Sequence, residues 1–263
     1  MNDAPPLSST LSPPVDEKAE LKKRVWGAWA TIGLGLAIGL LSIAAQTLVI
    51  IAFIASRVLS HTGGLTQEIN ALPTNGLVVS LAIIFSALAG IGLIALFVRL
   101  RGQISLGEYL AFKRNSWKTA IVLVLFTAGL VALAGLIGGA SGDSRNSGFM
   151  VDVYNTSGWP PLLWIAVIAF APAFEEAFFR GFSFVGLQYS RIGAIGAILF
   201  TSLVWATLHI QYDIFGMATV LVLGMVLGAV RLKTGSLWGS MLIHSLWNFV
   251  AVLGTVLSIN AAH

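Results

Sequence analysis

Long apolar runs, each closed by a short polar stretch, follow one another along most of the chain. They fall at roughly 27–55, 77–98, 119–139, 161–186, 194–210, 214–230 and 237–257. A helix needs about 20 mostly apolar residues to cross a bilayer. The pattern therefore predicts seven spanning helices, or eight if the first or the fourth run breaks. The fifth and sixth runs are short, and a tight polar turn, Gln211-Tyr212-Asp213, joins them. The expected fold class is all-α: a polytopic helical bundle, integral to the membrane, with a polar cavity inside it. Residues 1–24 are Pro- and Ser-rich and then basic, which predicts a disordered tail. No short apolar core with a small-residue cleavage site follows it, so it does not read as a signal peptide. Residues 25–259 then form a single transmembrane domain.

Composition agrees with the pattern. Charged residues make up 10% of the chain and hydrophobic ones 57%, where a soluble domain carries about 25% charged residues. Mean hydropathy is +0.88. The net charge of +4 does not point to nucleic acid, because the basic residues cluster at the ends of the apolar runs. With no cysteine in the chain, disulfides, thiolate metal sites and a cysteine nucleophile are excluded. Lys18, Lys22, Lys23 and Arg24 precede the first run, and Arg99, Arg101, Lys113, Arg114 and Lys118 lie between the second and third. Arg191 follows the fourth, and Arg231 with Lys233 follows the sixth, whereas the alternate loops hold only Arg57 and Arg145. Basic loops favour the cytoplasmic side. This predicts a multi-pass protein of the cell membrane with a cytoplasmic N-terminus.

A few polar residues interrupt the apolar runs, and they carry the candidate chemistry. Glu175, Glu176 and Arg180 are the only charges between Pro160 and Gly186. Ionisable groups inside a membrane are costly and mark cavities or polar sites. Residues four apart share a helix face, so Arg180 can pair with Glu176 while Glu175 points about 100° away. His244 and Asn248 repeat that spacing, as do Trp205 and His209. From the turn at Arg191, Glu175 and His209 are both placed roughly 25 Å deep, and His244 roughly 15 Å from the same side. A buried glutamate beside a histidine can activate water as a general base. A second histidine and an amide are donors suited to an oxyanion. Glu175, His209 and His244 are equally a zinc donor set with one open position, so Zn2+ and a metal-free water both stay open. His61 and His263 read as solvated.

Three stretches resemble the motifs of the CAAX prenyl protease and bacteriocin-processing (CPBP, or Abi) family of intramembrane proteases, which includes the type II CAAX prenyl endopeptidases. They are Glu175-Glu176-x-x-x-Arg180, Trp205-x-x-x-His209 and His244-x-x-x-Asn248, with Arg231-Leu-Lys-Thr-Gly-Ser-Leu-Trp238 leading into the last. The resemblance covers about residues 160–250 and implies that 25–259 is one protease domain. It implies catalytic roles for four residues. Glu175 activates the water with help from His209, while His244 and Asn248 hold the oxyanion. Glu176, Arg180 and Trp205 support the site, Trp205 standing where the family more often has phenylalanine. The family is often labelled metalloprotease, yet a metal-free glutamate–histidine mechanism also fits these residues. The implied partner is a membrane-associated peptide or protein, CAAX-like or other, met in the lipid bilayer.

Two other functions fit parts of the pattern. One is a non-catalytic membrane partner or bacteriocin-immunity protein, which has no need of all the polar groups. The other is a proton-coupled transporter using Glu175 and Glu176. Transporters often show inverted repeats and interrupted helix pairs, and the sequence shows neither.

Overall fold

The computed structural model describes residues 17–60, 65–141 and 145–261, and it is all-helical over them. His61 and His263 lie outside the described residues. The tail expected over 1–24 is described only from residue 17, where α1 (Glu17–Arg24) is a helix. There follow α2 (Ala28–Leu59), α3 (Gly76–Arg101), the single turn α4 (Leu106–Tyr109) and α5 (Trp117–Ser141). Next come α6 (Pro160–Gln188), α7 (Gly193–Thr207), α8 (Ile214–Thr234) and α9 (Leu237–Ala261). Short helices Leu65–Ala71 and Arg145–Asn155 sit in the connections.

Six of these helices, not seven, are long and apolar enough to cross a membrane: α2, α3, α5, α6, α8 and α9. The expected fifth span is α7, which has 15 residues and a length of only about 22 Å. The hydrocarbon core is about 30 Å thick. The chain turns back early, at 208–213, because Asp213 caps α8 by accepting from the Gly216 amide at 2.8 Å. His209 is therefore in the turn rather than within a helix. Large apolar side chains such as Leu40, Leu125, Ile195 and Val222 face outward and are more than half exposed. That is the pattern of a protein whose solvent is lipid.

Two features of the fold position the site. First, α1, the segment 101–113 and the α8–α9 turn meet at one end of the bundle. Arg24 donates to the Gln103 carbonyl at 2.9 Å and Arg101 to the Lys23 carbonyl at 2.6 Å. The Ser236 hydroxyl donates to the Lys113 carbonyl, and the Leu237 amide to the Ala111 carbonyl at 3.0 Å. Tyr109 is buried there against Phe182, their rings 5.8 Å apart. Burial pushes its hydroxyl pKa up to about 12. Gly235 ends α8 in the left-handed region (φ 62°) and donates to the Arg231 carbonyl, a conformation that costs an L-residue about 1–2 kcal/mol. Nothing lies within 4 Å of a Cβ placed on it, so Gly235→Ala is expected to lower stability by backbone strain alone. Thermal unfolding in detergent should show a loss of about 1 kcal/mol, with Gly235→Asn milder because asparagine tolerates this region.

Second, α6 is not a uniform α-helix. Ala166–Phe170 and Ala177–Ser183 are wound as π-helix, a local widening frequent at functional sites. The first has a readable cause. In π register the Ala171 amide bonds back five residues to Ala166, so the Val167 carbonyl should receive from residue 172. That residue is Pro172, which has no N–H to give. The Val167 carbonyl is thus left for a side chain from another helix.

Candidate active site

The described residues put the predicted polar groups together where α6, α7 and α9 meet in the middle of the bundle. Glu176 and Arg180 form its sealed floor, at 0% and 1% exposure. Arg180 Nη1 donates to Glu176 Oε1 at 3.0 Å, and Nη2 to the Gly224 carbonyl at 3.1 Å. Gly224 allows that approach: a Cβ there would stand 3.1 Å from the guanidinium and 3.0 Å from Ser202. The guanidinium also lies over the Trp205 ring, 4.5 Å from its centre, a favourable cation–π arrangement. The pairing expected from the four-residue spacing survives the π turn between these residues.

Glu176 serves a second partner. Its Oε1 lies 3.0 Å from His244 Nδ1. A carboxylate only accepts, so this nitrogen carries the proton. The other ring nitrogen, Nε2, then faces Glu175 Oε2 at 3.9 Å. His244 is buried and bridges the two glutamates. The unequal depths estimated from the sequence did not predict this contact.

Glu175 differs from Glu176 in access. A quarter of its side chain is exposed. Its Oε2 accepts from the Trp205 indole N–H at 2.6 Å. Phenylalanine in that position could not make this bond, so Trp205 is more than a conservative aromatic replacement. Trp205 also stands between the histidines, its ring 5.1 Å from each of His209 and His244, edge to face. His209 Nδ1 lies 2.8 Å from the Trp205 carbonyl. A carbonyl accepts only, so Nδ1 carries the proton and Nε2 keeps its lone pair when the ring is neutral.

Asn248 Nδ2 donates to the Val167 carbonyl at 2.9 Å, the group that Pro172 leaves without a helix partner. One amide hydrogen is thus fixed and the other remains for a ligand. All the predicted site residues (Glu175, Glu176, Arg180, Trp205, His209, His244 and Asn248) are tied into this region.

Sequence reasoning missed two contributors. Tyr212 stacks on His209 at 5.9 Å and 23°. Its hydroxyl pKa is raised by burial and then by the charge of Glu175. Only its position in the turn after His209 hinted at it. The Val167 carbonyl had a better signal, a proline inside an apolar span.

The zinc donor set does not assemble. Among the described residues no three His, Asp or Glu side chains are grouped so as to hold a metal ion. Glu175 Oε2 is engaged by the indole, and His209 Nδ1 is turned to a backbone carbonyl. Glu175, His209 and His244 do not fit a metal in this arrangement, so the metalloprotease label has no support in the geometry.

Residues 157–250 match the family model described as type II CAAX prenyl endopeptidase Rce1-like. No curated protein and no solved structure matches the chain.

Proposed function

Starting from an Rce1-like domain over residues 157–250, we propose that this protein is an intramembrane endopeptidase that cleaves membrane-associated peptides with a water activated by Glu175. The observation that carries this reading is the division of labour between adjacent glutamates. Glu176 is sealed against Arg180, while Glu175 is held by one indole N–H and stays accessible.

The chain's own groups supply the steps. Glu175 takes a proton from the water as its oxygen attacks the scissile carbonyl carbon. His209 Nε2 is the second acceptor, fixed by the Nδ1 bond to Trp205. The carbonyl oxygen becomes an oxyanion facing the free amide hydrogen of Asn248 and, when the His244 ring carries both protons, its Nε2–H. Preorganised donors of this kind are often the largest single contribution to catalysis. Collapse of the tetrahedral intermediate breaks the C–N bond, and the proton held by Glu175 passes to the leaving amine. Glu176, Arg180 and Trp205 position these groups without touching substrate.

The basic residues gathered at one end of the bundle favour a cytoplasmic N-terminus, and residues 25–259 act as one domain. The substrate is a peptide anchored in or at the bilayer, CAAX-like or other.

Purified protein in detergent, given a panel of membrane-anchored peptides, is expected to release products whose new termini mass spectrometry can identify. Cleavage is expected to persist with a zinc chelator. Loss with chelator and recovery with zinc would overturn the metal-free route. Equal turnover by wild type and Glu175→Gln would overturn Glu175 as the base, and no product from any peptide of the panel would overturn the enzyme reading. Trp205→Phe keeps the ring and removes the donor. A hydrogen bond to a charged group contributes about 1.5–3 kcal/mol, so kcat should fall about tenfold or more, with KM nearly unchanged, in a protein that still folds.

A further inference from the structure

A second polar site lies at the end of the bundle away from the His209 turn. A cavity of about 550 Å³ opens there between α1, the segment 108–113, the last turn of α6 and the end of α8. Arg231 lines it and is 6% exposed. Its Nε has no hydrogen-bond partner, and no carboxylate pairs with it among the described residues. A buried guanidinium left without an anion is strongly unfavourable. Two carboxylates share the cavity wall, but each already has a cation. Glu20 holds Lys23 at 2.7 Å, and Glu108 holds Arg24 at 3.1 Å. Lys113 also lines the cavity, and it too pairs with no carboxylate among the described residues. The wall therefore presents two cations that no carboxylate among the described residues pairs with; the buried one, Arg231, lies over the Phe184 ring at 5.7 Å.

The level of this cavity identifies its ligand. Trp29, Trp117 and Trp238 stand at the same end of the spans, at 87%, 69% and 47% exposure. Exposed tryptophans at helix ends mark the membrane–water interface. Apolar side chains, Leu21, Val25, Phe184 and Leu232 among them, make up much of the rest of the wall, with Gln188 and Tyr189 beside them. Basic pockets between spanning helices at this level suit the head groups of anionic lipids. We propose that the cavity binds the phosphate of an anionic phospholipid, with Arg231 as its principal donor and Lys113 as the second. The site is separate from the peptide-cleaving centre, so its test does not depend on activity.

The probe is phosphatidylglycerol, offered beside phosphatidylcholine to full-length protein and followed by native mass spectrometry. Wild type is expected to retain one phosphatidylglycerol through detergent exchange and to gain thermal stability from it, with neither effect from phosphatidylcholine. Arg231→Gln is expected to lower that retention at least tenfold. Lys113→Gln is the second variant, on a more exposed residue, in case the first fails to fold; it should lower retention several-fold. Arg57→Gln, in the last turn of α2 at the opposite end of the bundle, should change nothing. Equal retention by wild type and Lys113→Gln, or by wild type and a folded Arg231→Gln, would overturn the proposal. Displacement of the lipid by millimolar inorganic phosphate, with the same stabilisation from phosphate alone, would overturn the lipid assignment in favour of free phosphate.

Discussion

Glu175→Gln is expected to leave the protein folded and to reduce peptide cleavage by about a thousandfold, within the 10²–10⁴ range of general acid–base catalysis. The amide keeps the size of the carboxylate and can still accept from the Trp205 indole, whose bond to Glu175 Oε2 is 2.6 Å long. It cannot take a proton from water. The side chain is a quarter exposed, and His244 Nε2 lies 3.9 Å from its Oε2, so no sealed ion pair is broken. The check is a pair of measurements on the same preparation: the unfolding midpoint in detergent, and single-turnover cleavage of whichever anchored peptide the wild type accepts. A folded variant that cleaves at the wild-type rate would remove Glu175 from the mechanism. A variant that unfolds would show that its role is structural.

Its neighbour is expected to behave in the opposite way. Glu176→Ala should destabilise the protein by about 3–5 kcal/mol, the usual result of removing one partner from a buried ion pair. Arg180 would keep only the Gly224 carbonyl, at 3.1 Å, inside a bundle where it is 1% exposed. His244 would lose the acceptor that fixes its Nδ1 proton at 3.0 Å. Arg180→Met alone should cost a similar amount, since it leaves the buried carboxylate without its guanidinium. The double variant Glu176→Leu with Arg180→Met is the informative control. Replacing both charges with apolar groups of similar volume is often neutral or stabilising, so it should recover most of the lost stability. It should not recover cleavage, because His244 remains without its partner. Detergent unfolding midpoints of the singles and the double test this directly. Additive destabilisation would mean that the pair is not the source of the effect.

The contrast between adjacent glutamates shows how far the sequence could be read. The four-residue spacing of Glu176 and Arg180 foretold their 3.0 Å pair, because a helix puts such positions on one face whatever surrounds them. It also foretold that Glu175 would face elsewhere. It could not say what Glu175 meets, since its partners, Trp205 and His244, come from helices distant along the chain. The same holds for Asn248. Its position one turn beyond His244 is local, whereas its bond to the Val167 carbonyl depends on how α9 lies against a π turn in α6. The expected fifth span fell short for a related reason. The apolar run continues to residue 210, but the helix closes at Thr207 and the chain turns so that Asp213 can cap the next one.

By itself, the sequence determined what depends on near neighbours and on solvent. Apolar runs of spanning length require helices in lipid, because no water is there to satisfy an exposed backbone. Fixed offsets within those helices select which polar side chains share a face, and three such pairs identify the region that matches the Rce1-like family over residues 157–250. The tertiary structure alone decided which faces meet. It set the bridge from Glu176 through His244 to Glu175 and the indole bond that a tryptophan at 205 adds. It also left Arg231 buried without a carboxylate among the described residues. These are contacts across helices, set by packing and tilt, and nothing local in the chain encodes them.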